Sequence, residues 1–215
     1  MTAVLAAAAL TTWSAGEALA QPSHGMAAMA SSGTKAASLR TMLNTLFQEH
    51  IYLASAATGA ALGGRETEFK AAASALDANS MAISKAIGSV YGQGAEDAFL
   101  PLWRKHIGMV VEYTVGVATG DKSKQDKAVG DVIQYTQDFG AFLQSANPNL
   151  PKSVVADLVK HHVVTLKEVI DAQAAKDPAR AYTAVRTAAA HMQQIADPLA
   201  EAIVKQFPDR FASAK

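Results

Sequence analysis

Three histidines, His50, His106 and His162, stand 56 residues apart, and each follows a leucine by four positions (Leu46, Leu102 and Leu158). Sliding the chain along itself by that interval, without gaps, pairs Phe99 with Val155 and Phe211, Ile87 with Leu143 and Leu199, and Ala72 with Ala128 and Ala184. A period of this length marks a supersecondary unit used three times, each too small to bury its own apolar face. A leucine or alanine at a fixed register is what any core needs. A histidine held at one register in three copies requires an account of its own.

Helix is the expected secondary structure throughout. Aromatic residues make up only 7% of an alanine-rich chain, a composition that suits closely packed helices better than strands. Apolar residues recur at three and four from Leu39 through Leu43, Leu46, His50, Leu53 and Ala57 to a glycine stop at Gly63-Gly64. A second helix runs from about Arg65 to Val90, and Tyr91-Gly92-Gln93-Gly94 breaks the chain. Phe99, Leu102, His106, Met109, Tyr113 and Val117 mark a third helix ending at Gly120, after which Asp121 caps a fourth. Asn147-Pro148-Asn149-Leu150-Pro151 is a loop, because two prolines and two asparagines leave little alternative. The fifth helix carries Val155, Leu158, His162, Thr165 and Val169. Asp177-Pro178 supplies the N-cap and first-turn proline of the sixth, which Pro198 is expected to bend late. The expected fold is all-α: a six-helix bundle built from three tandem antiparallel helix-hairpin repeats, at about residues 44–99, 100–155 and 156–211 of a domain spanning 38–211.

What precedes that domain reads differently. The apolar run Val4 to Leu10, followed by Ala18-Leu19-Ala20 and then Gln21, has the pattern of a secretory signal over residues 1–20, although no Lys or Arg comes before it. Residues 21–37 are small, polar and aperiodic, as in a flexible linker. The expected location is therefore periplasmic or secreted. No later stretch reaches the roughly 20 uninterrupted apolar residues of a membrane span. Nineteen basic residues balance nineteen acidic ones without a basic run, which excludes the footprint of a nucleic-acid binder. Cysteine is absent, so disulfides, thiolate nucleophiles and cysteine-held metals are excluded, and any metal takes N, O or thioether ligands.

The spacing turns the three histidines toward the core. His162 lies about 14 residues before the turn at Lys176 and His191 about 15 after it, so the two stand at similar height on facing helices. The same offset sets Asn79 beside His50 and Tyr135 beside His106. The result is a polar stratum inside an apolar bundle. A buried imidazole nitrogen left unpaired costs on the order of 1–3 kcal/mol, so the stratum needs partners. Two solutions compete. In one, Asn79, Tyr135 and His191 hydrogen-bond the imidazoles and fix the register of otherwise interchangeable hairpins. In the other, His50, His106 and His162 converge on one ion, with His191, water or Glu49 completing a site for zinc or copper.

Weaker signals surround these. His24, Met26 and Met29 resemble the short His/Met clusters that hold copper outside the cytoplasm. Met42, Met81, Met109 and Met192 fall at helical core spacing and read as gap fillers. Trp103-Arg104-Lys105, with His161 beside Lys160, gives a basic outer face, which a site for an anionic ligand and a plain solvated helix face explain equally well. There is no Glu-x-x-His pair, no His-Glu-x-x-His helix, no Gly-x-Ser-x-Gly elbow and no phosphate-binding glycine loop, so catalysis is not expected. The expected function is exported binding of a ligand, a transition metal such as copper or zinc, for storage, buffering or delivery. The alternatives are an envelope module that docks a protein or polymer while the histidines only lock register, and non-covalent haem held by His162 or His191.

Four phrases, Glu49-His50, Leu102-Trp103-Arg104-Lys105-His106-Ile107-Gly108, Asn147-Pro148-Asn149-Leu150-Pro151 and Ala202-Ile203-Val204-Lys205-Gln206-Phe207-Pro208, resemble a family of secreted bacterial helical-repeat proteins. Some of its members are labelled copper amine oxidase through a fused envelope stalk domain. The resemblance spans about Leu39 to Phe211 and implies export and helical repetition. It assigns no established activity to any residue.

Overall fold

Three helices begin on a side-chain cap. Thr34 accepts from the N–H of Ala37 at 3.1 Å, Asp121 from Lys124 at 2.9 Å and Asp177 from Arg180 at 3.0 Å, each satisfying an amide that the helix itself leaves without a partner. In the computed structural model, which describes residues 34–212, they open α1 (Lys35–Leu62), α4 (Lys122–Ala146) and α6 (Pro178–Gln206). Between these lie α2 (Glu66–Tyr91), α3 (Gln93–Thr119) and α5 (Lys152–Ala174), and a single turn, α7 (Pro208–Phe211), follows Phe207. The described residues contain helices and no strand. α1 starts three residues inside the expected linker because Thr34 is a competent cap. The signal segment, His24, Met26 and Met29 lie outside the described residues.

The turns that join α1 to α2, α3 to α4 and α5 to α6 are built alike. Each contains one residue in the left-handed region, Gly64 (φ 67°), Gly120 (φ 70°) and Lys176 (φ 55°). In each, the next amide reaches back five residues: Arg65 to the Ala60 carbonyl, Asp121 to Gly116 and Asp177 to Ala172. This is the six-to-one bond of a helix that ends on a left-handed residue. Such turns reverse the chain at once and lay each following helix antiparallel on its predecessor.

Packing follows a ring. Each of the six long helices lies on its chain neighbours, and α6 returns to lie on α1. The odd-numbered helices α1, α3 and α5 also touch one another. Small residues permit this closeness: α6 buries Ala184, Ala188, Ala189, Ala196 and Ala200, and a Cβ on Gly140 of α4 would fall 2.5 Å from the carbonyl oxygen of Lys152. Leu43, Ile51, Ile83, Leu166, Val169, Met192 and Ile203 fill the space between helices. Of the methionines expected there, Met192 is buried, whereas Met42 and Met81 are 38% and 40% exposed and face outward. No helix among the described residues is long and apolar enough to cross a membrane.

Lys176 is the one left-handed position in these three turns without a glycine, and a side chain there costs about 1 kcal/mol or more. Lys176→Gly relieves that strain and adds chain entropy to the unfolded state. The expected net gain, read from urea unfolding, is about 0.5–1 kcal/mol with an unchanged m value.

Candidate metal centre

The leucine-x-x-x-histidine stripe faces the middle of the ring on α1, α3 and α5. His50, His106 and His162 are 1%, 3% and 4% exposed, and one ring nitrogen from each lies within 4.8 Å of the other two. The ring centroids are 5.4 Å apart for His50 and His106, 5.8 Å for His50 and His162, and 6.2 Å for His106 and His162. The Nε2 atoms of His50 and His106 are 3.5 Å apart. Two nitrogens bound to zinc at about 2.0–2.1 Å and the tetrahedral angle stand about 3.3–3.4 Å apart, so that pair already has a chelating separation. Bringing the two sides that involve His162 to that length asks for at most about 1.5 Å on each.

The residues across each hairpin do something other than satisfy these rings. Asn79 donates to the carbonyl of Leu46 at 3.0 Å and to the Glu49 carboxylate at 2.7 Å. On the opposite hairpin, His191 donates through Nε2 to the carbonyl of Leu158 at 2.9 Å. Leu46 and Leu158 are the leucines four residues before His50 and His162, whose carbonyls keep a second lone pair after making the helix bond. Only in the middle hairpin does the partner meet the ring, with the Tyr135 hydroxyl 3.5 Å from His106 Nδ1. The expected pairs His50 with Asn79 and His162 with His191 thus give way to bonds with backbone carbonyls. His191 and Glu49 stand outside the three-histidine group. His161 is exposed on α5 with its ring 4.1 Å from that of His191. Arg104 is engaged by Asp77 at 2.7 and 2.8 Å, which leaves less of the basic face for an anion.

The imidazoles are consequently poorly satisfied. His162 has no protein hydrogen-bond partner at either Nδ1 or Nε2, and His50 has none at Nδ1. The two contacts to His106 are 3.5 Å, too long to contribute much. Burial holds the Tyr135 phenol protonated far above its ordinary range, and as a neutral hydroxyl it can accept from or donate to His106 Nδ1 according to the tautomer of that ring. Burial also keeps the rings neutral. His50 lies well below its ordinary value, through burial first and the neighbouring imidazoles second. His106 is pulled down to about 4 by burial, against a smaller upward pull from the Trp103 backbone. His162 falls to about 3 through burial and then through His106 and His191. A neutral imidazole with a free lone pair is the form that binds a metal ion.

Trp103 belongs to this neighbourhood, which the reading of it as part of an outer basic face missed. It is 6% exposed, its ring lies 4.6 Å from His106 and 5.1 Å from His50, and its indole N–H has no partner. The available signal was its place three residues before a stripe histidine, which is the same helix face. Phe47 and Phe99 stack on it at 5.8 and 5.5 Å.

Comparison with protein-family models, with curated proteins and with solved structures finds no match to this chain.

An imidazole with both nitrogens buried and unpaired lowers the stability of the ion-free protein. His162→Phe keeps the ring shape and is expected to raise ion-free stability by about 1–3 kcal/mol, read as an increase of several degrees in melting temperature. The pH dependence has a fixed sign. With folded values below the ordinary one, the unfolded chain takes up protons first, so stability falls as the pH drops below about 6.5 and keeps falling toward about 4 for His106 and about 3 for His162. Melting curves of the ion-free protein between pH 7 and 4 test this. The His162→Phe variant is expected to lose less over that interval.

Proposed function

We propose that this protein binds one transition metal ion, copper or zinc, through His50, His106 and His162, and that it does so as an exported protein of three helix-hairpin repeats serving metal storage, buffering or delivery. One observation carries the metal reading: three neutral, buried imidazoles lie within 4.8 Å of one another at their ring nitrogens, and His162 has no protein partner at either nitrogen. A coordinated ion takes up the lone pairs that the fold leaves unused. Histidine nitrogens suit both zinc and copper, and an exogenous fourth ligand would complete a tetrahedron. Tyr135 stands where it can hydrogen-bond the outer nitrogen of His106 and so orient a bound ring.

Two features support repetition and export. The left-handed residues Gly64, Gly120 and Lys176 and the helix starts at Glu66, Lys122 and Pro178 keep the interval of the histidines. Export is supported by the apolar run from Val4 and the small residues before Gln21. A mature chain whose mass begins at Gln21 is the expected product of secretion.

The rival role, register alone, draws less support. Hairpin register is already held by Asn79 on the Leu46 carbonyl and His191 on the Leu158 carbonyl, neither of which uses the central imidazoles. Haem is disfavoured by geometry as well. His191 spends Nε2 on Leu158, and His162 has two other imidazoles within 6.2 Å of its ring.

Titration of untagged, full-length protein with zinc and with copper, followed by calorimetry, tests the reading. The expected result is one ion per chain, bound more tightly than micromolar, with a loss of at least a hundredfold in His106→Ala and little change in His191→Ala. A variant with His24, Met26 and Met29 all replaced by alanine separates the tail from the core and is expected to retain the core ion. Binding of neither metal below micromolar would overturn the proposal, as would full binding by His106→Ala.

A further inference from the structure

The three-histidine group offers an ion neutral donors only. Among the described residues no carboxylate joins it, and the chain has no cysteine to supply a thiolate. Glu49, next to His50 in sequence, gives its carboxylate to Asn79 at 2.7 Å, and His191 gives Nε2 to the Leu158 carbonyl at 2.9 Å. Tyr135 stands at Nδ1 of His106, whereas Nε2 of that ring faces His50, so the phenol lies at the nitrogen turned away from that contact. The surroundings are as apolar as the donors are neutral. Two cavities, of about 270 and 200 Å³, border the rings, and their walls are mostly hydrocarbon, with Phe139, Val159 and Leu199 in one and Ala54, Ala57 and Leu166 in the other.

Charge decides what such a centre can hold. The cost of moving an ion from water into a medium of low dielectric grows with the square of its charge, so a divalent ion loses roughly four times what a monovalent one of the same size loses. Carboxylates, thiolates or a metal-bound hydroxide offset that loss in other proteins. Here the first two are absent from the group. Zinc on three histidines keeps water or hydroxide in its fourth position, and copper(II) prefers a tetragonal array of four or more ligands. With both His162 nitrogens and Nδ1 of His50 buried and hydrocarbon around the rings, a water in that position would lack the polar partners that a buried water needs. A single positive charge asks for less, and copper(I) is satisfied by three neutral nitrogens. In a trigonal plane with bonds of about 2.0 Å the nitrogens stand about 3.5 Å apart, and Nε2 of His50 and Nε2 of His106 are separated by 3.5 Å. We propose that the centre selects copper(I), held three-coordinate by His50, His106 and His162, over zinc and over copper(II). The inference rests on the metal reading above and adds the identity of the ion and its charge.

The test titrates untagged, full-length protein with copper(I) in the absence of oxygen, and in parallel with silver(I), zinc and copper(II), each against a coloured chelator of known affinity. The expected result is one copper(I) per chain, bound more tightly than zinc or copper(II) by a factor of about a hundred or more. Silver(I), a redox-inert monovalent stand-in, is expected to bind at the same stoichiometry and to be displaced by copper(I). X-ray absorption of the copper(I) form is expected to show three nitrogen neighbours and no fourth ligand. His162→Glu adds a negative charge to the donor set and is expected to lower the preference for copper(I) over zinc about tenfold or more, with circular dichroism showing that the variant is helical. Should that variant not fold, the affinities of the unaltered protein decide. A smaller preference for copper(I), silver(I) left unbound, or a fourth ligand in the absorption spectrum overturns this proposal and leaves the metal reading standing. An unchanged preference in folded His162→Glu overturns the argument from charge. Failure of all four ions to bind more tightly than micromolar removes the metal reading itself, and this inference with it.

Discussion

The contact of α6 with α1 is what allows three histidines to meet. Hairpins stacked in a row would carry His50 and His162 on the outer members, with the middle hairpin between them. Returning the last helix to the first turns the row into a ring, and α1, α3 and α5 become its inner wall. The seam is held by polar pairs on its rim, Arg40 with Glu201 at 2.6 Å and Asn44 with Asp197 at 2.7 Å, and by alanines that let the two helices approach. The exposed ion pair contributes little by itself. Most of the stabilisation comes from apolar area removed from water along the seam, where Leu39, Leu43, Ala196 and Ile203 are buried.

That closure creates a problem that apolar packing would not have. Three imidazoles enter a region without charges or strong acceptors, and the bonds available nearby are used by others. Asn79 and His191 could have served the rings but bond instead to carbonyls one helical turn away. This division is physically sensible. A carbonyl fixed in a helix is a rigid acceptor and sets the height of one helix against another, whereas an imidazole on a rotatable side chain sets it poorly. Register thus comes from side chain to backbone, and the imidazoles are left free. A layer under pressure only to stabilise the fold would replace unpaired His162 with a hydrocarbon, since a buried polar atom without a partner is among the more costly defects in a core. Three such rings at near-chelating distance are compatible with a bound metal ion, which would take up the lone pairs left unpaired.

Much of this was legible in the sequence wherever the determinant was local. Asp121 and Asp177 announced their helices because a cap needs only its own side chain and the next three amides. The inward turn of the three histidines followed from four-residue spacing to a leucine, and their pairing in height from a count of residues about a turn. The start of α1 was missed because Thr34 is a cap inside what composition alone marks as linker. Ring closure was not legible, since the fit of α6 to α1 depends on faces as remote as those of Asn44 and Asp197, 153 residues apart. Helical periodicity does not encode which neighbour a face will find. Nor was the choice of the Leu46 and Leu158 carbonyls legible, because a spare lone pair on a helical carbonyl leaves no trace in a side-chain pattern. Trp103 was visible on the stripe of His106, yet its basic neighbours Arg104 and Lys105 drew it to the outer face.

Departures from the period carry as much meaning as the period itself. If the units were identical, the axis of the ring would hold three equivalent imidazoles behind three equivalent aromatic caps, and there would be no opening. Here the position three before the histidine is Phe47, then Trp103, then Val159, and the position across the hairpin is Asn79, then Tyr135, then His191. The second unit gathers the hydrogen-bonding aromatics around His106, and the third gives up bulk beside His162. The least satisfied imidazole, His162, borders one cavity together with His106, and His50 and His106 border another. The repeated register brings the nitrogens together, and the departures from it set different side chains around each ring, while the ring nitrogens of His162 themselves stay buried.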